Sequence, residues 1–357
     1  MTVPWTAAVA TSIGSFPGTS PLETARIVAG ELPDFVHVAE LPGRGPGSDI
    51  IGRTGGLLAG VASGLALETT PQGWRFASAS GRQMRLAQSL LAEDLDALEE
   101  TAVDYAGPVK CQVAGPWTLA ASIELRTGER ALRDASAVSD IAEALGEAVR
   151  LHVADIRRRL PRASAVVVQL DEPSLPAVLE GRIGTASGLS SYAPVGAQEA
   201  ERILRLALGA AGDAGALAGV HCCASDVPID LIRAAGAGFV SIDLTWSDEP
   251  HRNDDALGRA WESGLGILAG CVPSTSADEI GDARASAPLR GLLHRLGLED
   301  PVWLEQVAVT PACGLAGASP AWVRSALRAC SAAGRIVRDL DDNGSDSGDD
   351  RGRGGRR

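Results

Sequence analysis

Lysine is almost missing from this chain. Of 32 basic residues among 357, Lys110 alone is a lysine. The bias toward arginine reads as mutational drift in a GC-rich genome. An excess of basic charge is missing too. The formal net charge is −13 and the pI about 4.9, which excludes the positive face that nucleic-acid binding requires. No apolar run reaches the length of a membrane span. The opening Met-Thr-Val-Pro-Trp-Thr lacks the basic stretch of a secretion signal. Six cysteines, at 111, 222, 223, 271, 313 and 330, are too unevenly placed for a disulfide scaffold. Together these absences predict a cytoplasmic protein that binds neither nucleic acid nor membrane.

What is present alternates between two textures. Short β-branched apolar runs recur near 7–14, 35–41, 109–115, 165–172, 218–224, 239–245, 265–272 and 306–313. Near-continuous apolar strands are what a parallel sheet buried on both faces demands. Helical spacing fills most of the gaps. Ile141, Leu145, Val149, Val153, Ile156 and Leu160 recur at three or four, and Pro161 stops that helix. A second long helix is expected from Gln83 to Val103. Ser225 and Asp226 are expected to cap a short helix closed by Gly236, and Ser319-Pro320 to open another.

Eight strands alternating with helices predict an α/β fold, a (β/α)8 TIM barrel over residues 1–337 with elaborated loops at the C-terminal mouth. A doubly wound sheet is the runner-up. Residues 173–197 read as a long loop after the fourth strand. Residues 338–357 are low in complexity and expected to be disordered.

Barrel chemistry sits at the C-terminal ends of strands. Glu40, Asp171, His221, Cys223, Asp243 and Cys313 all fall there. In a strand, residues i and i+2 share a face, so His221 and Cys223 point one way and Cys222 the other. With Asp243 and Cys313 they offer one nitrogen, two sulfurs and one oxygen, a set that zinc accepts. The plain alternative is that the cysteines are small buried hydrophobes, which is the preferred reading for Cys111, Cys222 and Cys330.

The ordered motifs Ile13-Gly-Ser-Phe-Pro17, Gln169-Leu-Asp-Glu-Pro173, His221-x-Cys223, Ile242-Asp243 and Pro311-Ala-Cys-Gly-Leu315 resemble those of cobalamin-independent methionine synthase. The resemblance is to its C-terminal catalytic barrel and to the short core forms, over about residues 7–337. It implies a zinc-dependent methyltransferase that converts homocysteine to methionine. It implies His221, Cys223 and Cys313 as zinc ligands, with Asp243 where the family usually has glutamate. It implies Ile13 and Ser15 as the cradle of the homocysteine carboxylate, and Glu40 and Asp171 as holders of its ammonium. Cys271 is the nearest match to the family's general acid. The segment 69–76 lacks the family's Arg-Pro-Pro, so the expected donor is methyltetrahydrofolate or a methylcorrinoid, free or on a corrinoid protein. A different thiol substrate, or a zinc-binding barrel without turnover, are the competing readings.

Two further features stand at strand ends. Pro42–Asp49 is glycine-rich without the spacing of a phosphate loop, and reads as a flexible substrate-side loop. Trp117, in Gly115-Pro-Trp-Thr118, either stacks on a donor or packs the rim.

Overall fold

Each of the eight apolar runs becomes a strand in the computed structural model, which describes residues 2–246 and 253–342. In chain order the strands are β1 (Val9–Ala10), β2 (Val36–His37), β3 (Leu67–Thr70), β4 (Gly73–Phe76), β5 (Pro108–Ala114), β6 (Ile123–Glu124), β7 (Ala165–Asp171), β8 (Leu217–Cys222), β9 (Phe239–Asp243), β10 (Gly266–Val272) and β11 (Val307–Pro311). Eight of them form one curled sheet in the order β1-β11-β10-β9-β8-β7-β5-β2, and every ladder in it is parallel. The two ends of that order meet beyond the strands themselves. Ser15 bridges Glu40, the Phe16 amide donates to the Glu40 carbonyl at 2.8 Å, and the Glu40 amide donates to the Gly14 carbonyl at 3.0 Å. This is the TIM-barrel arrangement predicted from the alternation.

The floor of the barrel is apolar. Val9, Phe35, Val167, Phe239, Leu268 and Ala308 form one cluster there, closed by Trp5. Trp5 stacks on Phe35 with ring centroids 5.5 Å apart and meets Phe239 edge-on at 6.0 Å. Two residues further along, the side chains turn polar on β2, β7, β9 and β11: His37, Gln169, Ser241 and Thr310 are all buried. The second, larger core lies outside the sheet, beneath the helices. The helix Ala135–Arg159 buries Val138, Ile141, Leu145, Val149, Val153 and Ile156, as its spacing predicted. It begins six residues before Ile141 because Asp134 accepts hydrogen bonds from the amides of Ser136 and Ala137 at 2.9 and 3.3 Å. The expected helix from Gln83 runs over Arg82–Thr101.

Several expectations shift. The short helix after β8 covers Ile229–Ala234 and opens behind Pro228 with no side-chain cap, so Ser225 and Asp226 do not cap it. The final helix, Pro320–Asp342, passes the predicted boundary at 337, and Arg338 Nη1 donates to the Ala7 carbonyl at 2.7 Å. Residues 343–357 lie outside the described residues. Within 173–197 the loop holds a helical turn, Leu175–Leu179, and a bridge between Gly184 and Ser191. A three-stranded sheet of β3, β4 and β6 was not anticipated. Among the described residues no helix is long and apolar enough to cross a membrane.

Candidate active site

The register of β7, β8 and β9 sets the centre of the site. Asp171 pairs with His221, and His221 with Ser241. Cys223 follows one residue after β8 ends, on the His221 face; Cys222 points to the opposite side and is fully buried. The Pro311-Ala-Cys-Gly-Leu turn after β11 carries Cys313 inward. His221, Cys223 and Cys313 place one ligand atom each within 4.8 Å of one another. Cys313 Sγ lies 3.3 Å from Cys223 Sγ and 3.9 Å from His221 Nε2.

The donor set suits zinc. A tetrahedral zinc, with Zn–S about 2.3 Å and Zn–N about 2.0–2.1 Å, keeps sulfur and nitrogen donors roughly 3.5–3.8 Å apart. The separations of 3.3 and 3.9 Å fall on either side of that spacing. His221 is oriented from behind: its Nδ1 is 2.9 Å from Ser241 Oγ. The tautomer that donates to Ser241 leaves the Nε2 lone pair facing the sulfurs, the usual backing of a metal-bound imidazole. The two thiols are coupled. Cys313 donates to Cys223, which holds the Cys223 thiol below its ordinary range and pushes Cys313 up to about 12.

Asp243 is not in this group. It lies outside the three-residue cluster, and its Oδ1 accepts from the Thr245 amide and hydroxyl, both at 2.7 Å. It pins the turn leaving β9, so of the four expected ligands the structure brings three together and leaves Asp243 apart. Cys271 stands apart as well. On β10 Leu268 faces the barrel interior, whereas Ile267, Ala269 and Cys271 face the helices. Burial pushes the Cys271 thiol up to about 12, and a thiol sealed under helices delivers no proton to the mouth.

A cavity of about 300 Å³ opens on His221, Cys223 and Cys313, at the small end of ligand pockets. Ile13, Ser15, Glu40 and Asp171 line it together with His221, Cys223 and Cys313. Both carboxyls are buried, and burial is the main force raising them above the usual carboxylate range, Glu40 to about 7. Arg53 opposes that on Glu40, with its Nε 4.0 Å from Glu40 Oε1. Arg53 is itself held by Asp94, which also takes Arg44 at 2.6 Å. Gly14 sits at φ 153°, and a Cβ there would come within 2.6 Å of Gln112 Cδ, so only glycine serves at this bend.

Three residues near the cavity were not singled out by the sequence reading. Gln112 Nε2 donates to the Val38 carbonyl at 2.8 Å. Gln169 Nε2 donates to Asp171 Oδ1 at 2.6 Å and to the Ile13 carbonyl at 3.0 Å. Ser241 backs His221. Their signal was available: each is a polar residue in an apolar strand, Gln169 two positions before Asp171 and Ser241 two before Asp243. Trp117 packs the rim and is not free to stack. It is 1 % exposed, and its indole donates to the Ala200 carbonyl at 3.1 Å. The Gly-Pro segment serves Glu172, whose carboxylate accepts from the Trp117 amide at 2.9 Å and from the Thr118 amide and hydroxyl at 2.8 and 2.7 Å. A Cβ on Gly115 would fall 2.4 Å from that carboxylate. The Pro42–Asp49 loop borders the cavity through Pro42 and Asp49 and is held in place. Ser48 Oγ donates to the Gly45 carbonyl at 2.6 Å, and Asp49 accepts from the amides of Gly47, Ile51 and Gly52 and from the Trp74 indole.

Comparisons with known proteins bear on the fold and the family. Residues 8–335 match the family described as "Cobalamin-independent synthase, Catalytic domain". The fold resembles a B12-independent methionine synthase from Shewanella sp. W3-18-1, in complex with selenomethionine. The TM-score is 0.60 at 13% identity, covering 96% of this chain and 100% of that one. A GH5_18 protein from Streptomyces cattleya, in complex with GlcNAc, aligns at TM-score 0.46 and 13% identity over 93% of this chain and 81% of its own; that likeness carries no argument. No curated protein sequence matches the chain. The extent of the family match, with the barrel it describes, shows that the chain belongs to the cobalamin-independent methionine synthase family and carries its catalytic domain.

Proposed function

We propose that the chain methylates the sulfur of homocysteine to give methionine, with zinc held by His221, Cys223 and Cys313. The observation that carries the reading is the convergence of two unlike groups in one small cavity. A nitrogen–sulfur–sulfur triad, two buried carboxyls and the Ile13–Ser15 bend line the same small cavity. An amino-acid thiol needs those parts together: a soft cation for sulfur, acceptors for an ammonium, and backbone for a carboxylate.

A zinc ion bound there supplies a Lewis acid that holds a thiol as thiolate at neutral pH. The chain's own residues do the rest. Glu40 and Asp171 take the donors of the substrate ammonium. The Ile13–Ser15 backbone receives the carboxylate. Ser241 fixes the imidazole, and with only three protein ligands a fourth position is left for the substrate sulfur. In the transfer the sulfur lone pair forms the new S–CH3 bond. The methyl leaves the donor without its bonding pair, which stays on N5 of the folate or on the cobalt of the corrinoid.

The experiment is a methyl-transfer assay on the zinc-loaded protein. Homocysteine is offered with methyltetrahydrofolate and with methylcobalamin in parallel, and methionine is measured. Methionine formed with either donor supports the reading and identifies the donor. No methionine from either, with zinc bound and homocysteine bound, contradicts it.

A further inference from the structure

The chain's one lysine is not on its surface. Lys110 is 0% exposed, inside the barrel on β5. Its Nζ donates to the Ile13 carbonyl at 2.7 Å and to Gln112 Oε1 at 3.3 Å. Gln169 Nε2 donates to the same carbonyl at 3.0 Å. Two buried side chains from two strands thus hold one peptide oxygen at the edge of the cavity. That effort is unusual for a loop carbonyl, because burying an ammonium is costly unless its bonds are made.

The consequence follows from peptide planarity. The Ile13 carbonyl and the Gly14 amide belong to one planar trans unit and point opposite ways. Fixing the oxygen toward Lys110 and Gln169 fixes the Gly14 N–H in the other direction. Ile13, Gly14 and Ser15 all line the cavity, and this is the bend that the proposed function assigns to the substrate carboxylate. Burial pulls the Lys110 ammonium down to about 8, against the attraction of Asp171. Hydrogen bonding of the carbonyl to a cation polarises the peptide and makes its N–H a better anion donor.

We infer that Lys110 is a positioning residue that makes the cavity select thiols carrying a carboxylate, by orienting and polarising the Ile13–Gly14 peptide. Lys110 does not line the cavity and acts through that peptide. The inference rests on the proposed homocysteine reading and adds the origin of its preference for an acid end.

The test compares two thiols of the same chain length. Homocysteine has both the ammonium and the carboxylate; 3-aminopropane-1-thiol has the ammonium alone. Their binding to the zinc-loaded protein is measured by calorimetry for the natural sequence and for Lys110→Met, Lys110→Gln and Lys110→Arg, with zinc content and melting temperature recorded. Removing a charged hydrogen bond of this kind costs about tenfold or more. Lys110→Met is expected to weaken homocysteine by that factor and leave the aminothiol within about twofold. Lys110→Gln removes the charge but keeps a donor, and reports the same shift if the methionine variant does not fold. Lys110→Arg keeps the cation and restores the preference. Equal weakening of both thiols, or none in a folded variant that lacks the charge, overturns the inference and leaves the homocysteine reading standing. If the natural sequence binds neither thiol, the homocysteine reading fails and this inference with it.

Discussion

Cys313 Sγ lies 3.3 Å from Cys223 Sγ although 90 positions separate them in the chain. The barrel brings them together, because β8 and β11 end at the same mouth. Nothing local would do so, and the pair is therefore a consequence of topology rather than of a binding knuckle.

The first prediction separates the triad from Asp243. Cys223→Ser and Cys313→Ser should each lose zinc to dialysis against a mild chelator. Asp243→Ala should keep its zinc, because that carboxylate holds Thr245 rather than the triad. Elemental analysis of the dialysed proteins decides it. Zinc lost from Asp243→Ala as readily as from the cysteine variants would restore Asp243 as a ligand.

The second concerns the residue behind the histidine. Ser241→Ala removes the partner of His221 Nδ1 at 2.9 Å and should weaken zinc by about 10–100-fold. Competition with a chromogenic chelator measures it. An unchanged affinity would mean that the imidazole is fixed by packing alone.

The third separates metal from substrate binding. Glu40→Gln and Asp171→Asn should weaken homocysteine about tenfold or more, since each loses a charged acceptor, while zinc content stays at the level of the natural sequence. Calorimetry with homocysteine, beside metal analysis, provides both readings. Zinc loss in either variant would contradict the assignment of these carboxyls to the ammonium.

The fourth is a pH dependence of stability. Burial lowers His37 to about 3 and His152 to about 4. Their folded values lie below the unfolded value of about 6.5. The unfolded chain therefore binds protons first as pH falls, and stability drops between about 6.5 and the folded values. The loss is on the order of a few kcal/mol per histidine. Glu40 and Glu172, each raised to about 7 by burial, act in the opposite sense between that value and about 4.5, so the test is a difference. Denaturant melts of the natural sequence and of His152→Gln should diverge in slope below pH 6.5, with the variant flatter. Parallel curves would show that His152 is protonated in the folded protein.

Much of this was legible in the sequence. The eight strands were readable because strands covered on both faces must be apolar throughout, and Val166–Val168 or Ile267–Ala269 could be little else. The period of two put Cys222 on the face away from His221, and the structure agrees. The same period, applied to Leu268 and Cys271, would have turned Cys271 outward. The β3–β4 hairpin was missed because its exposed face gives no continuous apolar run: Glu68 and Thr69 are open to solvent. Asp243 stands apart from the triad because a carboxylate at a strand end serves a turn as readily as a metal, and Thr245 two residues on is the sign. Lys110 was read as an accident of composition. Its meaning lies in a contact with Ile13 across 97 residues, which no local pattern encodes.

The central claim is that the triad holds zinc and leaves one position for a substrate thiol. Zinc-edge X-ray absorption on the zinc-loaded protein, before and after homocysteine, tests it most directly. The account predicts two sulfur ligands without substrate and three with it, the third at about 2.3 Å. A sulfur count that does not change when homocysteine is bound would contradict it.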